Sequence, residues 1–202
     1  MMKSSIMDFM DINKLIASRV LALRDARGLS LTALAERSGV SRSNISLIER
    51  GESSATATVL DKLAGALGVT LGSLFEAGDG GSAPEPPSPF SPAASQPVWT
   101  DPGSGYMRRQ LSPPARSPMQ LVEVIFPPGQ RVAYDQVRRE ADVYQQVWLL
   151  EGEMEITAGE GCWKLSPGDC LAIREDQPIS YANPGRQPAR YLVGLVTLPF
   201  TI

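Results

Sequence analysis

The side chains available for chemistry in this 202-residue chain are limited first by its composition, because the sequence contains no histidine. Histidine is the commonest protein ligand for metals and the commonest general base near neutral pH. Without histidine, the two cysteines, Cys162 and Cys170, cannot complete a zinc site, and they are too few for a secreted disulfide scaffold. Both lie in apolar, strand-like runs, so we expect reduced core residues. The carboxylates show no paired spacing, and we therefore predict that the chain is not an enzyme.

The charge of the chain does not by itself indicate a nucleic-acid partner. The formal net charge is −3, divided as +1 over residues 1–76 and −4 over the remainder. Any DNA affinity must therefore come from where the cations lie. No apolar run approaches the roughly 18–20 residues of a membrane helix, and MMKSSIMDFM lacks the apolar centre of a signal peptide. We expect a cytoplasmic protein with no membrane contact.

Hydrophobic spacing divides the chain into two domains and a linker. Residues 1–75 have helical periodicity, and residues 98–202 consist of short β-rich runs separated by turn sequences such as Pro-Pro-Gly at 127–129. Between them, residues 76–97 are rich in Gly, Pro and Ser and have almost no aliphatic side chains, which predicts a flexible linker. The fold class that we predict is a two-domain α + β protein, with five helices followed by an all-β barrel or sandwich.

Cap signals define the predicted helices. Ser30 and Ser41 are suitable N-caps, and Gly39 lies in the tight turn between the helices that they begin. The predicted helices cover residues 12–27, 31–38, 42–50, 59–67 and a short fifth turn at 71–75. The residues expected to face inward are Ile16, Val20, Leu23, Leu34, Ala35, Ile45 and Ile48. Two short helices joined by a Gly-containing turn are typical of a DNA-reading helix-turn-helix.

Two runs carry a family resemblance, LRDARGLSLTALAERSGVSRSNISLIERGE and LDKLAGALGVTLGSLF. Over about residues 12–75 the chain resembles the Cro/phage-repressor-like family of bacterial transcriptional regulators. The resemblance implies that the second helix braces across the DNA backbone while the third enters the major groove. Family members often have Pro-Ser before the fourth helix, whereas this chain has Ser-Ala-Thr-Ala-Thr at 54–58. We expect Thr56 or Thr58 to cap that helix instead.

The resemblance also implies which residues contact an operator in double-stranded DNA. The residues expected at base edges are Arg42, Ser43, Ser46 and Leu47. Those expected at phosphates, where contacts position the protein rather than specify sequence, are Ser41, Thr32, Asn44 and Arg50. The alternative is that Arg42 and Arg50 are ordinary solvated charges. The resemblance further implies an ion pair between Arg24 of the first helix and Glu49 of the third.

The second half resembles a cupin, a small β-barrel. The resemblance lies in PPG at 127–129, VWLLEGEMEI at 147–156, LSPGDCLAI at 165–173 and PISYAN at 178–183. The strands that we predict there cover residues 121–126, 143–150, 154–157, 162–165, 170–173, 179–182 and 191–197.

Metal-binding cupins supply three histidines and a glutamate, and this chain has none of the four at the matching positions. Gln145 occupies the glutamate position and Ile179 the last histidine position. Depending on a one-residue ambiguity in spacing, the histidine pair falls at Arg138 and Glu140 or at Arg139 and Ala141. Glu140 and Gln145 alone cannot form a divalent-metal site of useful affinity. We therefore predict a barrel without a metal or other cofactor.

The polar and aromatic residues that remain could form a pocket for a small metabolite, including an anionic one. The candidate effector-binding residues are Tyr134, Arg138, Glu140, Gln145 and Tyr181, with Arg139 and Trp148 as weaker candidates. The alternative is that several of these side chains point outward or pair with neighbours, and that Trp148 fills core. Arg108 and Arg109 are interpreted as surface or barrel-edge charges.

The leading hypothesis is a homodimeric, sequence-specific DNA-binding regulator whose affinity is tuned by a small-molecule effector in the barrel. A second hypothesis keeps the regulator but makes the barrel only a dimerisation module. A third, a cupin-type enzyme with an accessory DNA-binding domain, is disfavoured by the missing metal ligands. We expect dimerisation mainly through residues 98–202, including the apolar run 191–200, because the helical domain has no long apolar stripe left over.

Overall fold

A computed structural model describes residues 12–75, 88–115, 117–136 and 141–199. The helical part of the described chain contains four α-helices, α1 Ile12–Ala26, α2 Leu31–Ser38, α3 Arg42–Glu49 and α4 Ala57–Ala66. The prediction of five helices is therefore wrong by one. The predicted fifth is a 3₁₀ turn, Gly72–Phe75, whose bonds join Ser73 N to Thr70 O at 3.1 Å and Leu74 N to Leu71 O at 3.1 Å. Four residues are too few to extend this turn into an α-helix.

The helices begin at the side-chain caps that the sequence predicts. Ser30 Oγ accepts from Ala33 N at 3.1 Å, and Ser41 Oγ accepts from Asn44 N at 3.3 Å. Thr56, one of the two predicted caps, accepts from Val59 N at 3.4 Å, and α4 begins at Ala57, two residues earlier than predicted. Each cap satisfies an amide that has no partner inside its helix. Because these signals are local, they place the helix-turn-helix reliably.

The helical core follows the predicted stripe. Val20, Leu34 and Ile45 are completely buried, Ile16 and Ile48 nearly so, and Leu23 and Ala35 are partly buried against the cluster. Residues from α4 complete this core; the fully buried ones are Ala57, Leu60, Leu63 and Ala64.

The ion pair between Arg24 and Glu49 is confirmed. Arg24 Nε donates to Glu49 Oε1 at 2.6 Å, and Nη2 donates to Oε2 at 3.0 Å, in the bidentate geometry that planar guanidinium and carboxylate groups favour. The hydrogen bonds that Arg24 donates to Glu49 are the main cause that raises the pKa of Arg24. Arg24 Nη1 also donates to Leu29 O at 2.8 Å. One guanidinium thus joins α1, the start of α2 and the end of α3.

The second half forms two antiparallel sheets. In the described residues the strands are β1 Val98–Thr100, β2 Met107–Gln110, β3 Met119–Phe126, β4 Arg131–Tyr134, β5 Ala141–Glu151, β6 Met154–Ala158, β7 Gly161–Leu165, β8 Cys170–Arg174, β9 Ile179–Ala182 and β10 Ala189–Pro199. One sheet has the order β1-β2-β3-β10-β5-β8, and the other has the order β4-β9-β6-β7. The inner faces of both sheets form one apolar core.

The predicted closed barrel is therefore wrong, although a β-rich, cupin-like unit is present. The ladders end at β1 and β8 in the larger sheet and at β4 and β7 in the smaller one, and no ladder in the described residues joins the two. These edge strands have only three to five residues each. The seven predicted strands are present with slightly different ends, whereas β1, β2 and β4 were not predicted.

The two cysteines are also not where the sequence suggests. Cys162 lies on β7 and Cys170 on β8, both free and exposed rather than buried. Each strand is the last of its sheet, so among the described residues no strand pairs with its outer flank. The apolar run around each cysteine reflects an edge strand and not a core strand.

The helical and β units contact each other directly. Ala57 N, at the start of α4, donates to Asp101 Oδ1 at 2.9 Å. The ring centroid of Phe75 lies 5.4 Å from that of Trp99, which in turn packs edge-on against Tyr106 at 5.7 Å. Of the predicted linker, residues 76–87 lie outside the described residues. The remainder includes a short 3₁₀ turn, Ala93–Ser95.

The buried ion pair leads to the first test. Replacing Glu49 by alanine should lower the free energy of unfolding by about 3–5 kcal/mol, because it leaves Arg24 largely buried without its main partner. Asp25 offers a matched control, since its carboxylate also lies 2.9 Å from Arg24 but is 62% exposed. Asp25→Ala should cost about 0–1 kcal/mol. Urea unfolding measures both, and equal stability of the two variants would contradict this role for the pair.

Candidate DNA-binding surface and ligand cavity

The exposed face of α3 presents most of the residues predicted to read bases. Arg42, Ser43 and Leu47 are exposed and Ser46 is half-buried, whereas the Ile45 and Ile48 side chains point into the core. Leu47 is 37% exposed, so its apolar side chain is available on this face. Such a face combines three kinds of group that can contact base edges. A guanidinium can bind guanine, hydroxyls can hydrogen-bond to several bases, and an apolar side chain can contact the thymine methyl.

The residues predicted to contact phosphates lie at helix ends. Thr32 is exposed in the first turn of α2, and Asn44 is half-buried in the first turn of α3. Ser41 Oγ is engaged as the cap of α3 and lies 3.3 Å from Ser43 Oγ.

Arg50, at the C-terminal end of α3, is exposed but already has intramolecular partners. Its Nη1 donates to Ser46 Oγ at 2.6 Å and its Nη2 donates to Glu52 Oε2 at 2.8 Å. This contact raises the pKa of Arg50 and lowers that of Glu52. A phosphate bound by Arg50 would have to compete with Glu52, a consequence that the sequence alone did not indicate.

A second candidate site is a cavity of about 90 Å³ lined by residues of both sheets and of the helical unit. Its walls include four tyrosines, Tyr106, Tyr134, Tyr181 and Tyr191, and the helical unit contributes Asp61 of α4 and the segment Thr70, Leu71 and Gly72. A water molecule needs about 10–15 Å³ of such volume, so the cavity has room for a compact small molecule.

The tyrosine hydroxyls and Gln145 form short chains of hydrogen bonds along the wall. Tyr181 OH donates to Gln145 Oε1 at 2.9 Å, and Gln145 Nε2 lies 3.4 Å from Glu175 Oε1. The hydroxyls of Tyr106 and Tyr134 are 3.1 Å apart. Burial raises the pKa of Tyr106 to about 12 and also raises the pKa values of the other three wall tyrosines. All four are neutral phenols at physiological pH and can donate hydrogen bonds.

The cavity brings together three of the five residues predicted to bind an effector. Tyr134, Gln145 and Tyr181 line it, while Arg138 and Glu140 lie outside the described residues, as does Arg139. Trp148, a weaker candidate, is 48% exposed on the opposite face of β5 and does not line the cavity.

The interpretation of Arg108 as a surface charge is wrong. Arg108 is only 8% exposed and lines the cavity, whereas its neighbour Arg109 has 37% of its side chain exposed and faces Glu123 at 3.6 Å. β2 alternates between half-buried and buried residues, so Arg108 and Gln110 take the inward positions. The sequence MRRQ does not alternate between apolar and polar residues, so it gives no sign that Arg108 faces inward. The arginine is buried because β2 pairs with β1 and β3.

The cavity wall does not fit the metal that the cupin resemblance implies. Ile179 offers no ligand atom, and Gln145 Oε1 already accepts from Tyr181. A neutral amide and an aliphatic chain cannot replace the glutamate and histidine of a divalent-metal site. Within the described part of the chain, no group of three or more carboxylate or cysteine side chains is arranged to hold a metal ion.

Comparisons with known proteins agree with this geometry. A helix-turn-helix family profile, HTH_3, matches residues 20–74. An HTH-type transcriptional regulator of Sinorhizobium fredii, y4dJ, is 41% identical over 61 residues, which cover 30% of this chain and 79% of that protein. The chain belongs to the helix-turn-helix family of transcriptional regulators. The region of resemblance that the sequence predicted, residues 12–75, contains the matched segment.

The likeness extends beyond the helix-turn-helix. The HTH-type transcriptional regulator SutR of Escherichia coli K12 is 25% identical over 198 residues, covering 90% of this chain and 94% of SutR. A crystal structure of an HTH_3 family transcriptional regulator from Vibrio cholerae superposes with a TM-score of 0.70 at 27% identity, covering 96% of this chain and 99% of that one. This HTH regulator thus has a DNA-binding helical unit and a cupin-like β unit. No helix in the described residues is long and apolar enough to span a membrane.

Proposed function

We propose that this HTH regulator is a cytoplasmic homodimer that reads a two-fold DNA operator through α3 and whose DNA affinity depends on a small molecule bound in the tyrosine-lined cavity. The observation that carries the proposal is the position of the cavity, because the DNA-binding unit supplies part of its wall through Asp61 and Gly72. A molecule bound there contacts both units and can favour one arrangement of them. Such coupling between two sites amounts typically to about 1–3 kcal/mol.

In this proposal Arg42 is the main specificity contact. It lies at the start of α3, where the guanidinium is exposed and can donate two parallel hydrogen bonds to O6 and N7 of guanine. Ser43, Ser46 and Leu47 contact neighbouring base edges, and Ser41, Thr32, Asn44 and Arg50 contact the phosphates. We assign these eight roles from the family resemblance and from the exposed positions of most of the side chains.

Dimerisation is assigned to the outer face of the six-stranded sheet. In the sheet register Tyr144 of β5 pairs with Val196 of β10, and Trp148 of β5 pairs with Leu192 of β10. On the other side of β10, Met119 of β3 also pairs with Val196. Met119, Tyr144 and Trp148 are 46%, 41% and 48% exposed, so this face presents three large apolar side chains to solvent. Surfaces of this kind mark association sites. A dimer is needed because one helix-turn-helix reads only a half-site, and paired half-sites lie about 34 Å apart.

A second candidate function keeps the dimer but gives the β unit no ligand. The apolar outer face favours it, because dimerisation alone explains that surface. The two functions differ in one observable, whether any small molecule changes the affinity of the full chain for its operator. The relatives with which the chain aligns are named as regulators and not as enzymes, and we propose no catalytic role for the cavity.

DNA reading is tested by two arginine variants on an operator first selected from random sequence. Arg42→Ala should cost about 1–3 kcal/mol of binding free energy on the selected site and relax the preference at one base pair. Arg50→Ala should weaken binding to all sequences and reduce the slope of log K against log salt by about one. Lys164→Ala, which removes one positive charge from the exposed strand β7 of the other sheet, should leave both quantities unchanged. Equal losses on operator and random DNA for Arg42→Ala would refute its base-reading role.

The dimer surface is tested by placing a charge on it. Trp148→Glu should convert the full chain from dimer to monomer in light scattering, because a carboxylate cannot be buried there without a partner. Trp163→Glu is the control, since Trp163 is similarly exposed, at 42%, but lies on β7 of the other sheet. That variant should keep the dimeric mass. A monomeric parent chain, or a dimeric Trp148→Glu chain with an intact circular dichroism spectrum, would contradict this interface.

A further inference from the structure

The group in the cavity that most requires a partner is the guanidinium of Arg108. The residue is 8% exposed, and its Nε and Nη2 atoms are buried without a hydrogen-bond partner among the described residues. The guanidinium carbon lies 5.3 Å from the ring centroid of Phe75, so one face of the group is covered by an aromatic ring of the helical unit. That contact leaves the in-plane N–H donors unused. Buried donors without a partner are unfavourable, and charged ones more so.

The two unpartnered atoms form one edge of the planar guanidinium. Arginine uses this edge to donate two parallel hydrogen bonds to the oxygens of a carboxylate or phosphate. Space beside it is kept by Gly72 of the 3₁₀ turn, where a Cβ atom would lie 3.2 Å from Arg108 Nη2 and 2.7 Å from Gln120 Oε1. A larger residue at position 72 would crowd the guanidinium, so the helical unit itself shapes this end of the cavity.

The remaining charges of the wall limit which anion fits. Asp61 and Glu175 line the cavity, and so does Asp135, which is exposed and lies 3.4 Å from Lys62. These carboxylates repel a phosphate or a polycarboxylate that carries more than one negative charge. They tolerate a single carboxylate at Arg108, and Glu175 would favour an amine elsewhere on the same molecule. The tyrosine rings and hydroxyls provide apolar area and donors for the rest of it.

We propose that the cavity binds a compact metabolite with a single carboxylate group, and that this group accepts two hydrogen bonds from Nε and Nη2 of Arg108. This inference rests on the proposed effector function and names the class of effector. Because Arg108 lies between β2, Phe75 and Gly72, a carboxylate held there fixes the helical unit against the β unit. The ligand's charge, and not only its shape, then connects the cavity to the DNA-binding helices.

The experiment uses the full chain and a panel of two- to six-carbon monocarboxylates and α-amino acids, each paired with the amine or amide that lacks the carboxylate. Thermal unfolding and calorimetry should show binding that requires the carboxylate. In Arg108→Met the affinity should fall about ten- to hundredfold, the loss expected for removing a charge-assisted hydrogen-bonded contact. Arg109→Met, the adjacent residue on the opposite face of β2, should bind like the parent.

A second readout separates a binding role from a structural one. Without ligand, Arg108→Met should unfold at the same temperature as the parent or higher, because it removes unpartnered buried donors while keeping apolar contact with Phe75. A clear loss of unfolding temperature in Arg108→Met would overturn the proposal in favour of a structural cation. So would equal binding of carboxylates by Arg108→Met and the parent, or no carboxylate-dependent binding by the parent. Inorganic phosphate and sulfate, included in the same panel, should bind more weakly than the monocarboxylates, and tighter binding of either would also overturn it.

The outcome for the effector proposal is read separately, from operator affinity with and without the bound probe. If an amine or a neutral probe binds and changes operator affinity, the carboxylate assignment fails while effector control stands. If a carboxylate binds through Arg108 but operator affinity does not change, the site stands and effector control fails.

Discussion

The arrangement of the molecule depends on the buried carboxylate of Asp101, which fixes the start of α4 to the β unit. Asp101 is 3% exposed, and its oxygens accept hydrogen bonds from Ala57 N at 2.9 Å, Ser104 N at 2.8 Å and Ser104 Oγ at 2.6 Å. A carboxylate at a helix N-terminus also interacts favourably with the helix dipole. Since its oxygens are well supplied with donors, this buried acid stabilises the contact between units.

The position of the cavity follows from that contact. With α4 held against β4, Asp61 forms part of the cavity wall, and the 3₁₀ turn brings Gly72 and Phe75 to Arg108. On its other side α4 packs against α2, which packs against the reading helix α3. The cavity and the DNA-binding surface are therefore joined by packed elements and not only by the linker. Packed contacts of this kind can carry coupling between sites.

Most of the features predicted correctly depend on residues that are close together in the sequence. Ser30 and Ser41 cap their helices as expected because a cap is made within three residues, and Ile45 and Ile48 face inward because helical periodicity fixes their side. The Arg24–Glu49 pair, which joins separate helices, was predictable only through the family resemblance. Within the cavity, Tyr134, Gln145 and Tyr181 were found because the cupin motifs align the strands that carry them.

What the sequence could not predict depends on partners distant along the chain. Arg108 is buried by strand pairing and by Phe75 of another unit, so nothing near it in MRRQ distinguishes it from the more exposed Arg109. Cys162 is exposed because β7 is the last strand of its sheet, a property of the topology. The open edges of the two sheets, predicted as a closed barrel, have the same origin.

The helical unit and the β unit should behave as one cooperative structure, and an unfolding experiment tests this most directly. Trp99 is 2% exposed and packs against both Phe75 and Tyr106, so in a chain with Trp148→Phe and Trp163→Phe its fluorescence reports the junction and the adjoining β unit. Urea unfolding followed by Trp99 fluorescence and by the helical circular dichroism signal should give coincident transitions. Separate midpoints, with the helices melting while the environment of Trp99 is unchanged, would contradict the account.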